Sequence, residues 1–529
     1  MTYCWGLEFP LGDGYSSRVM RSLLLGIDSG TQSTKVLVVD ARDGKVLASA
    51  AQEYELLPDL PPGAKEQHPH TWREAAASGI RRALRQARAV AAEVKAIGVS
   101  GQQHGFVPLD AQGEVIRPAK LWCDTSTAPE CDEIIEKLGG VKKTIKALGN
   151  TVPAGFTASK ILWLKNHEPD NYERLASVLL PHDYLNFWLT GEKTMEYGDA
   201  SGTALLDVRK RKWSAAALEA IDSELAEKLP PLISSDKPAG ILQASTAKSL
   251  DLNPGVLVSA GGGDNMMGAI GTGNTRAGVI TASFGTSGTI YALAEKPVVD
   301  PEGEIAAFCD STNRWLPLLC TMNVTVATEM VREDFGWSHE KFAGESARVP
   351  AGSHGLVLLP YFEGERTPNV PEGTGVWFGI NKRTFEAGHF ARASMEGVTM
   401  GMNYGLRRLA ELGVNPTQIR ATGGGAKSKV WRQIMADIFN TEVVTVKVSE
   451  AAAYGAALQA LWCWRLQEGE KVSISDITDK FVEVNAEESA YPEQANVAAY
   501  QELQALQDEM SAALRGVFGK HRRFVTRPS

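Results

Sequence analysis

The stretch LLLGIDSGTQSTKVLVVD, residues 23–40, decides the predicted fold. Two runs rich in aliphatic residues flank a turn of glycine, serine and threonine, which is typical of a β-hairpin with a polar connection. Working outward, the sequence predicts a third strand at 46–55, a long helix near 71–93 and a short strand at 96–100. This order of strands and helix indicates an α/β unit with a mixed sheet.

A second hairpin of the same kind is predicted at 278–294, with the sequence GVITASFGTSGTIYALA. Its Gly285 and Thr286 stand 255 residues after Gly30 and Thr31, an offset close to half the chain. We interpret this repeat as an internal duplication, which predicts two related α/β domains that face a shared cleft. The matched pairs are Gly30 and Gly285, Thr31 and Thr286, and Thr34 and Thr289.

The predicted boundary between the two domains lies near residues 253–263, where a turn leads into a strand and a glycine patch. The C-terminal stretch 496–519 predicts an amphipathic helix. Residues 1–19 read as an appended segment, so either Met20 is the native start or the segment is a flexible arm. The predicted organisation is an N-terminal extension at 1–20, an N-terminal domain at 21–260, a C-terminal domain at 261–516 and a tail at 517–529.

Composition narrows the class of protein. The chain has 529 residues, 22% of them charged and 43% hydrophobic, and a formal net charge of -9. This balance is typical of a globular protein and argues against a broadly basic nucleic-acid or membrane binder. No apolar run approaches the roughly 18 residues needed to span a bilayer. The six cysteines form no CxxC pair or zinc-type cluster, so reduced thiols in a cytoplasmic protein are expected.

Three glycine-bearing turns follow predicted strands, at 28–31, 283–288 and 422–428. Such turns expose backbone N–H groups that can hold phosphate oxygens without a bulky side chain in the way. The chain contains neither GxxxxGK[ST] nor a GxGxxG that opens the first helix, which argues against the common mononucleotide and dinucleotide motifs. Paired phosphate-binding hairpins resemble those of actin-like ATPases, so the predicted ligand is a nucleotide.

Two further clusters lie at predicted strand ends. GGGDN at 261–265 places Asp264 between the duplicated halves, where it could take a proton from a hydroxyl, although an ordinary helix N-cap is the alternative. GQQHG at 101–105 offers Gln103 and His104 as hydrogen-bonding groups suited to polyol hydroxyls. Trp122 and Asp124 could add a stacking face and an acceptor to such a pocket.

From residue 22 to 516 the chain resembles the FGGY family of carbohydrate kinases. Two long signature stretches carry the resemblance: GFTASKILWLKNH at 155–167, and the segment from GVWFGI at 375 to ASME at 393–396. GQQHG, LWCDTST at 121–127, LLPHDYLNFWLTGE at 179–192 and GGGDN are similar to segments of those members that phosphorylate D-xylulose. The resemblance implies two duplicated domains of the actin-like, ribonuclease H-like ATPase fold, with mixed sheets around an interdomain cleft.

The resemblance also implies residue roles. Asp264 would be the general base. Asp28 would orient a hydrated Mg²⁺ near the phosphates. Gln103, His104, Asn265 and Trp122 would hold the sugar. Thr31, Gly285 and Thr286 would clamp the β- and γ-phosphates, and Gly424, Gly425 and Ser428 would border the adenosine.

The implied reaction is phosphorylation of D-xylulose by MgATP, which gives ADP and D-xylulose 5-phosphate. The implied partners are the sugar and ATP, without nucleic acid or membrane, and similar kinases commonly form homodimers. Three alternatives stay open. The substrate could be another ketose or polyol, such as ribulose or a longer sugar acid. The chain could also be an actin-like or chaperone-type ATPase that controls a protein partner, or a sugar-sensing regulator.

Overall fold

A computed structural model describes residues 20–526, which form two α/β domains, each built on a mixed β-sheet. At the centre of the first sheet, Leu23–Ser29 pairs antiparallel with Ser33–Asp40 and parallel with Val94–Gly101. Leu23 and Leu25 pack against the helix Pro69–Gln86, whereas Leu24 packs on the opposite face, so an unbroken aliphatic run is buried on both sides. In order across the sheet, the strands are Pro238–Ile241, Leu257–Ser259, Val94–Gly101, Leu23–Ser29, Ser33–Asp40 and Val46–Glu53, and Gly262–Gly263 also pairs with Val94–Gly101.

The second sheet repeats the core of the first. Its central strand Val279–Phe284 pairs antiparallel with Gly288–Ala292 and parallel with Gln418–Thr422. Both hairpins have turns of three residues, at 30–32 and 285–287, and the offset of 255 residues holds at both strand ends. The predicted duplication and fold class are therefore confirmed. In order, the strands are Leu318–Thr321, Gly288–Ala292, Val279–Phe284, Gln418–Thr422 and Val443–Val444.

Helices and short ribbons surround the two sheets. Within residues 20–526, no helix combines the length and the apolar character that crossing a membrane requires. The helices of eight residues or more are Pro69–Gln86, Ala128–Lys137, Val141–Leu148, Thr157–His167, Pro181–Thr190, Asp264–Gly271, Thr325–Asp334, His339–Arg348, Ala387–Glu411, Lys429–Phe439, Ala451–Gln467, Ile474–Phe481 and Gln494–Val525. Shorter helices are Pro169–Glu173, Tyr197–Ala200, Ala215–Glu219 and Ala244–Ser249, and short strands are Glu66–Gln67, Val107–Leu109, Ala119–Lys120, Ser177–Leu179, Met195–Glu196, Leu206–Asp207, Lys212–Trp213, Leu232–Ile233, Val357–Pro360 and Gly375–Phe378.

Two helices have bounds that differ from the sequence predictions. The helix predicted near 71–93 ends at Gln86, because Arg88 adopts a left-handed backbone that a helix cannot continue through. The C-terminal helix, predicted at 496–519, spans Gln494–Val525. Most of the predicted tail at 517–529 is therefore helical, and its last three residues lie outside the described chain. The predicted extension at 1–20 also lies outside it, apart from Met20.

The predicted division at 260/261 falls just before a short strand that pairs with the first sheet. Gly262–Gly263 pairs with Val94–Gly101 and so belongs to the first sheet. The helix Asp264–Gly271 follows directly, and the second sheet begins only at Val279–Phe284. We therefore propose a boundary after residue 271. Local sequence does not reveal this pairing, because it is a tertiary contact.

The helix Ala451–Gln467, called here the crossing helix, joins the two halves. It follows the second sheet in sequence, yet it packs on the first sheet and on the helix Asp264–Gly271. A Cβ atom built on Gly455 would lie 1.8 Å from the carbonyl oxygen of Met267, and one on Gly26 would lie 2.0 Å from that of Ala453. Only glycine permits these backbones to approach so closely.

Candidate active site

A cavity of about 560 Å³ is lined by residues of both domains. His104 and Asp264, which the sequence assigned to one pocket, both line it. Gln103, Trp122 and Asn265 line it as well, so all five of the side chains predicted around the sugar meet here. The remaining predicted residues are not among those lining the cavity: Asp28, Thr31, Gly285, Thr286, Gly424, Gly425 and Ser428.

Asp264 is the first residue of the helix Asp264–Gly271 and follows the glycine strand directly. Its Oδ1 accepts hydrogen bonds from the backbone N of Asn265 at 2.8 Å and from Asn265 Nδ2 at 3.0 Å. Burial, followed by the negative charge of Asp28, raises the pKa of Asp264 to about 7. The carboxyl group therefore changes charge near neutral pH, as a general base should.

Asp28 lies near the end of the central strand of the first sheet, at the start of the first hairpin turn. Ser100, on the neighbouring parallel strand, donates a hydrogen bond from its Oγ to Asp28 Oδ1 at 2.8 Å. Burial raises the pKa of Asp28, and Asp28 in turn raises that of Asp264. The negative charge of Asp28 therefore acts on Asp264, and a cation near the two carboxyl groups would relieve this repulsion.

Gln103 and Asn265 are linked across the floor of the cavity. Asn265 Nδ2 donates to Gln103 Oε1 at 2.8 Å, and Thr289 Oγ1 of the second hairpin donates to Asn265 Oδ1 at 3.3 Å. Thr289 also lines the cavity. The sequence matched Thr289 to Thr34 without a role, and the structure shows that it ties the second hairpin to the residue beside Asp264.

His104 adopts a left-handed backbone with φ of 66°, which turns it away from the strand Val94–Gly101. Its ring stacks against Phe156, with the ring centres 4.4 Å apart, and faces Phe308 on the other side. Burial, followed by the nearby charge of Lys160, holds the pKa of His104 well below its usual value. His104 is therefore neutral, with one nitrogen able to donate and one able to accept.

Lys160 is a residue that the sequence did not single out. It is fully buried, and its Nζ donates to the carbonyl oxygens of His104 at 2.8 Å and of Gly155 at 2.6 Å. Burial lowers its pKa to about 7. Lys160 therefore joins the loop that carries His104 to the wall at Gly155, and its position in the signature stretch at 155–167 was the only available signal.

Trp122 lines the cavity, but its indole is also tied to the first hairpin. Its Nε1 donates to Thr31 Oγ1 at 2.9 Å, and Thr31 Oγ1 donates to Gln102 Oε1 at 3.1 Å. Asp124, which the sequence offered as an acceptor, lies away from these groups. Asp124 is fully buried, pairs with Lys120 at 3.2 Å and does not line the cavity.

The turn at 422–428 lies beside the second hairpin, at the end of the strand Gln418–Thr422. Gly423 has a positive φ and packs on the backbone of Phe284, whereas Gly424 is exposed with open space around it. Ser428 caps the helix Lys429–Phe439 by accepting a hydrogen bond from Trp431 N. These groups border the same sheet edge as the second hairpin turn, outside the cavity.

Charged residues that the sequence left without a role line the wall from the second domain. Arg366 brings a positive charge, and Glu302 and Glu304 bring two negative ones. Glu304 accepts a hydrogen bond from Tyr404 and another from the backbone N of Asn369. With Asp264 included, acidic groups outnumber basic ones around the cavity.

Comparison with known sequences agrees with this geometry. The profile described as FGGY family of carbohydrate kinases, N-terminal domain, matches residues 23–271, and that of the C-terminal domain matches residues 280–464. The xylulose kinase of Haemophilus influenzae is 41% identical over 485 residues, covering 90% of this chain and 97% of that protein. The xylulose kinase of Streptomyces rubiginosus is 37% identical over 446 residues, covering 83% of this chain and 87% of that protein.

Solved structures are similar over the same length. The xylulose kinase of Bifidobacterium adolescentis is 31% identical, with a TM-score of 0.77, and the match covers 92% of this chain and 99% of that one. The xylulose kinase of Rhodospirillum rubrum is 26% identical, with a TM-score of 0.85, and the match covers 94% and 100%. Because sequence profiles and whole-chain relatives agree across both domains, this chain belongs to the FGGY family of carbohydrate kinases.

Proposed function

We propose that this protein transfers the γ-phosphoryl group of ATP to D-xylulose and releases ADP and D-xylulose 5-phosphate. The observation that carries the proposal is that Asp264 and His104 line one cavity between the two domains. A volume of about 560 Å³ lies within the range of small-molecule sites. Similarity along the whole chain to xylulose kinases supports the choice of sugar.

Asp264 serves as the general base in this proposal. Both hydrogen bonds from Asn265 fall on Oδ1, which leaves Oδ2 to take the proton of the acceptor hydroxyl. As the sugar oxygen forms its bond to the γ-phosphorus, the bond between that phosphorus and the bridging oxygen breaks, and ADP leaves with the electron pair. A pKa of about 7 makes Asp264 both ionised in part and basic enough at neutral pH.

The sugar is held by groups that suit neutral hydroxyls. Gln103, Asn265 and neutral His104 each offer a donor and an acceptor, and Trp122 offers an apolar ring. Alignment of the hydroxyl with the phosphoryl group supplies much of the rate in such reactions, because the chemistry itself asks little of the protein.

ATP enters from the side of the two hairpin turns. Thr31, which is half-buried, and Thr286, which is exposed, occupy matching turn positions next to Gly30 and Gly285. Backbone N–H groups at such turns suit phosphate oxygens. Gly424, Gly425 and Ser428, at the neighbouring strand end, would border the adenosine.

Asp28 and Asp264 support a magnesium ion in this proposal. Asp28 and Asp264 repel each other in a partly buried setting, and a divalent cation relieves such repulsion. Asp28 would hold the ion through water. When bound, Mg²⁺ supplies neutralisation of phosphate charge, for which carboxylate and water ligands are typical.

The charges around the cavity favour a neutral sugar over a sugar acid. Asp264, Glu302 and Glu304 face the same space as Arg366, so a carboxylate on the substrate would meet net repulsion. Ribulose and other neutral ketoses carry no such penalty, so they remain the second candidate substrates.

The test is a panel of D-xylulose, D-ribulose and D-xylonate, assayed by ADP release in the wild-type protein and in Asp264→Asn. We expect the highest kcat/KM for D-xylulose, and a loss of about 10²–10⁴-fold in kcat in the variant. The melting temperature should not fall, because the substitution removes a carboxyl group that burial and Asp28 disfavour. A higher kcat/KM for another ketose would replace xylulose, and near wild-type activity in the variant would remove Asp264 from its role.

The same assay separates a kinase from an ATPase that controls a protein partner. We expect ADP release to depend on sugar, whereas rapid release without sugar would favour the ATPase. A sugar-sensing regulator would bind sugar without releasing ADP. A homodimer remains a further proposal, and light scattering of the purified protein tests it.

A further inference from the structure

His182 and Asp199 form a buried ion pair outside the cavity, and the pair takes no part in the proposed reaction. His182 and Asp199 are both fully buried and do not line the cavity. His182 Nδ1 lies 2.6 Å from Asp199 Oδ2, and His182 Nε2 lies 3.0 Å from Asp183 Oδ1. Burial alone would lower the pKa of His182, but the two carboxylates raise it well above its usual value. The imidazolium therefore donates from Nδ1 to Asp199 Oδ2, whereas its Nε2 meets Asp183 as an ion pair without hydrogen-bond geometry.

Asp199 also interacts with the side chain of Gln103, which lines the cavity. Asp199 Oδ1, an acceptor, and Gln103 Nε2, a donor, are both buried, and within residues 20–526 neither meets hydrogen-bond geometry with any partner. Burial raises the pKa of Asp199, whereas the interactions with His182 and with the Gln103 side chain oppose that rise. A carboxylate beside a primary amide attracts its N–H end, so Asp199 turns Nε2 of Gln103 toward itself.

Fixing one end of an amide fixes the other. With Nε2 directed at Asp199, Gln103 presents Oε1 to Asn265, which donates from Nδ2 at 2.8 Å. The same Nδ2 donates to Asp264 Oδ1 at 3.0 Å, and Asn265 Oδ1 accepts from Thr289. Asn265 Nδ2 therefore meets both of its acceptors only if Gln103 presents Oε1 to it, and Asp199 favours that orientation of the amide.

We propose that His182 and Asp199 are positioning residues that orient Gln103 and Asn265, so that Oδ1 of Asp264 is held and Oδ2 faces the acceptor hydroxyl. The inference rests on the proposed function, because it assumes that Asp264 is the base. It adds a row of polar side chains, each orienting the next, that leads from the interior of the first domain to the base.

The test exchanges the two groups that face each other. Gln103→Glu sets a second carboxylate against Asp199, so one of them must take a proton or turn away. Asp199→Asn keeps its oxygen toward the imidazolium and turns its N–H group toward Gln103, which reverses that amide and directs the oxygen of Asn265 at Asp264. The double variant D199N/Q103E restores a donor facing an acceptor, and the new carboxylate at position 103 can again accept from Asn265.

We expect kcat to fall about tenfold or more in each single variant, with KM for ATP unchanged. In the double variant, we expect kcat to recover about tenfold over Q103E, because the contacts are complementary again. If the two side chains acted only through packing, the fold losses in kcat of the two single variants would multiply in the double variant. A double variant less active than either single variant, or single variants within twofold of wild type, would overturn the inference.

Asp183→Asn is the matched control, since Asp183 also contacts His182 but does not face Gln103. We expect D183N to lower the melting temperature and to keep kcat within twofold of wild type. If Q103E does not fold, the comparison of D199N with D183N decides, and equal kcat in these two overturns the inference. A wild-type protein that phosphorylates no sugar, or an active D264N, overturns the proposed function and this inference together. An inactive D264N beside a fully active D199N overturns only the inference.

Discussion

At the scale of the residue, the environment of Asp264 sets its chemistry. A carboxyl group in water is a weak base, but burial and the charge of Asp28 raise its pKa to about 7. Its residue type and its place after a strand-end glycine patch were readable from the sequence. The shift itself was not, because it depends on how close Asp28 comes from another strand.

The raised pKa predicts the pH dependence of the reaction. Asp264 accepts a proton only when ionised, so kcat/KM should fall as the pH drops through about 7. The measurement is kcat/KM for D-xylulose between pH 5 and pH 9, with the coupling system in excess at each pH. A profile that stays flat down to pH 5 would mean that Asp264 has the pKa of an ordinary carboxyl group and would contradict its predicted environment.

The hydrogen bonds of Lys160 predict that its replacement weakens sugar binding. Lys160→Met removes the donor to the carbonyl groups of His104 and Gly155, and buried carbonyls without partners destabilise their loop. We expect KM for the sugar to rise about tenfold with KM for ATP unchanged.

Lys165→Met is the control for Lys160. Lys165 lies on the same helix but binds Ile221 and Asp222, away from the cavity. We expect wild-type KM values for it. Equal KM values for the sugar in K160M and wild type would show that Lys160 does not support the part of the cavity formed by His104 and Gly155.

At the scale of the element, the crossing helix determines where Asp264 sits. Its Gly455 touches the helix Asp264–Gly271 backbone to backbone, so the two helices approach more closely than side chains would allow. The sequence predicted the hairpins well, because alternation and turn residues are local signals. It did not predict this contact, because residues 451–467 are distant in sequence from the elements on which they pack.

The close contact between the crossing helix and the helix Asp264–Gly271 predicts the effect of Gly455→Ala. The added methyl group would overlap the carbonyl oxygen of Met267 and force the helices apart, at a cost of about 1–3 kcal/mol. We expect a lower melting temperature and a lower kcat, because the helix that begins with Asp264 must shift.

Gly516→Ala is the matched control in the helix Gln494–Val525, where the glycine has open space. Since alanine favours a helix over glycine by about 1 kcal/mol, its melting temperature should not fall. A G455A protein as stable as G516A would show that the two helices can separate without penalty.

At the scale of the whole molecule, the cavity exists only because the two domains face each other. The first domain contributes the loop with His104, and the second contributes the wall with Glu302, Glu304 and Arg366. Sequence patterns located the first group by residue type and strand end. They missed the second group, since charged residues in loops look like ordinary surface.

The acidic wall predicts selectivity against anions. Glu302→Gln removes one negative charge from the cavity, so D-xylonate should inhibit the variant more strongly, with an inhibition constant about two- to fivefold lower. KM for neutral D-xylulose should stay within twofold of wild type. Glu340→Gln, on an exposed helix outside the cavity, is the control. An unchanged inhibition constant in E302Q would show that this charge does not select the substrate.

The sequence by itself determined the paired hairpins, the glycine turns and the identities of Asp264, Gln103 and His104. These features are encoded locally, by alternation of side chains along a strand and by the residues that tight turns require. Only the tertiary structure decided the buried position of Lys160, the close packing of the crossing helix and the buried pairing of His182 with Asp199. Each of these depends on the distance between residues far apart in the chain, and that distance follows from how the elements pack together.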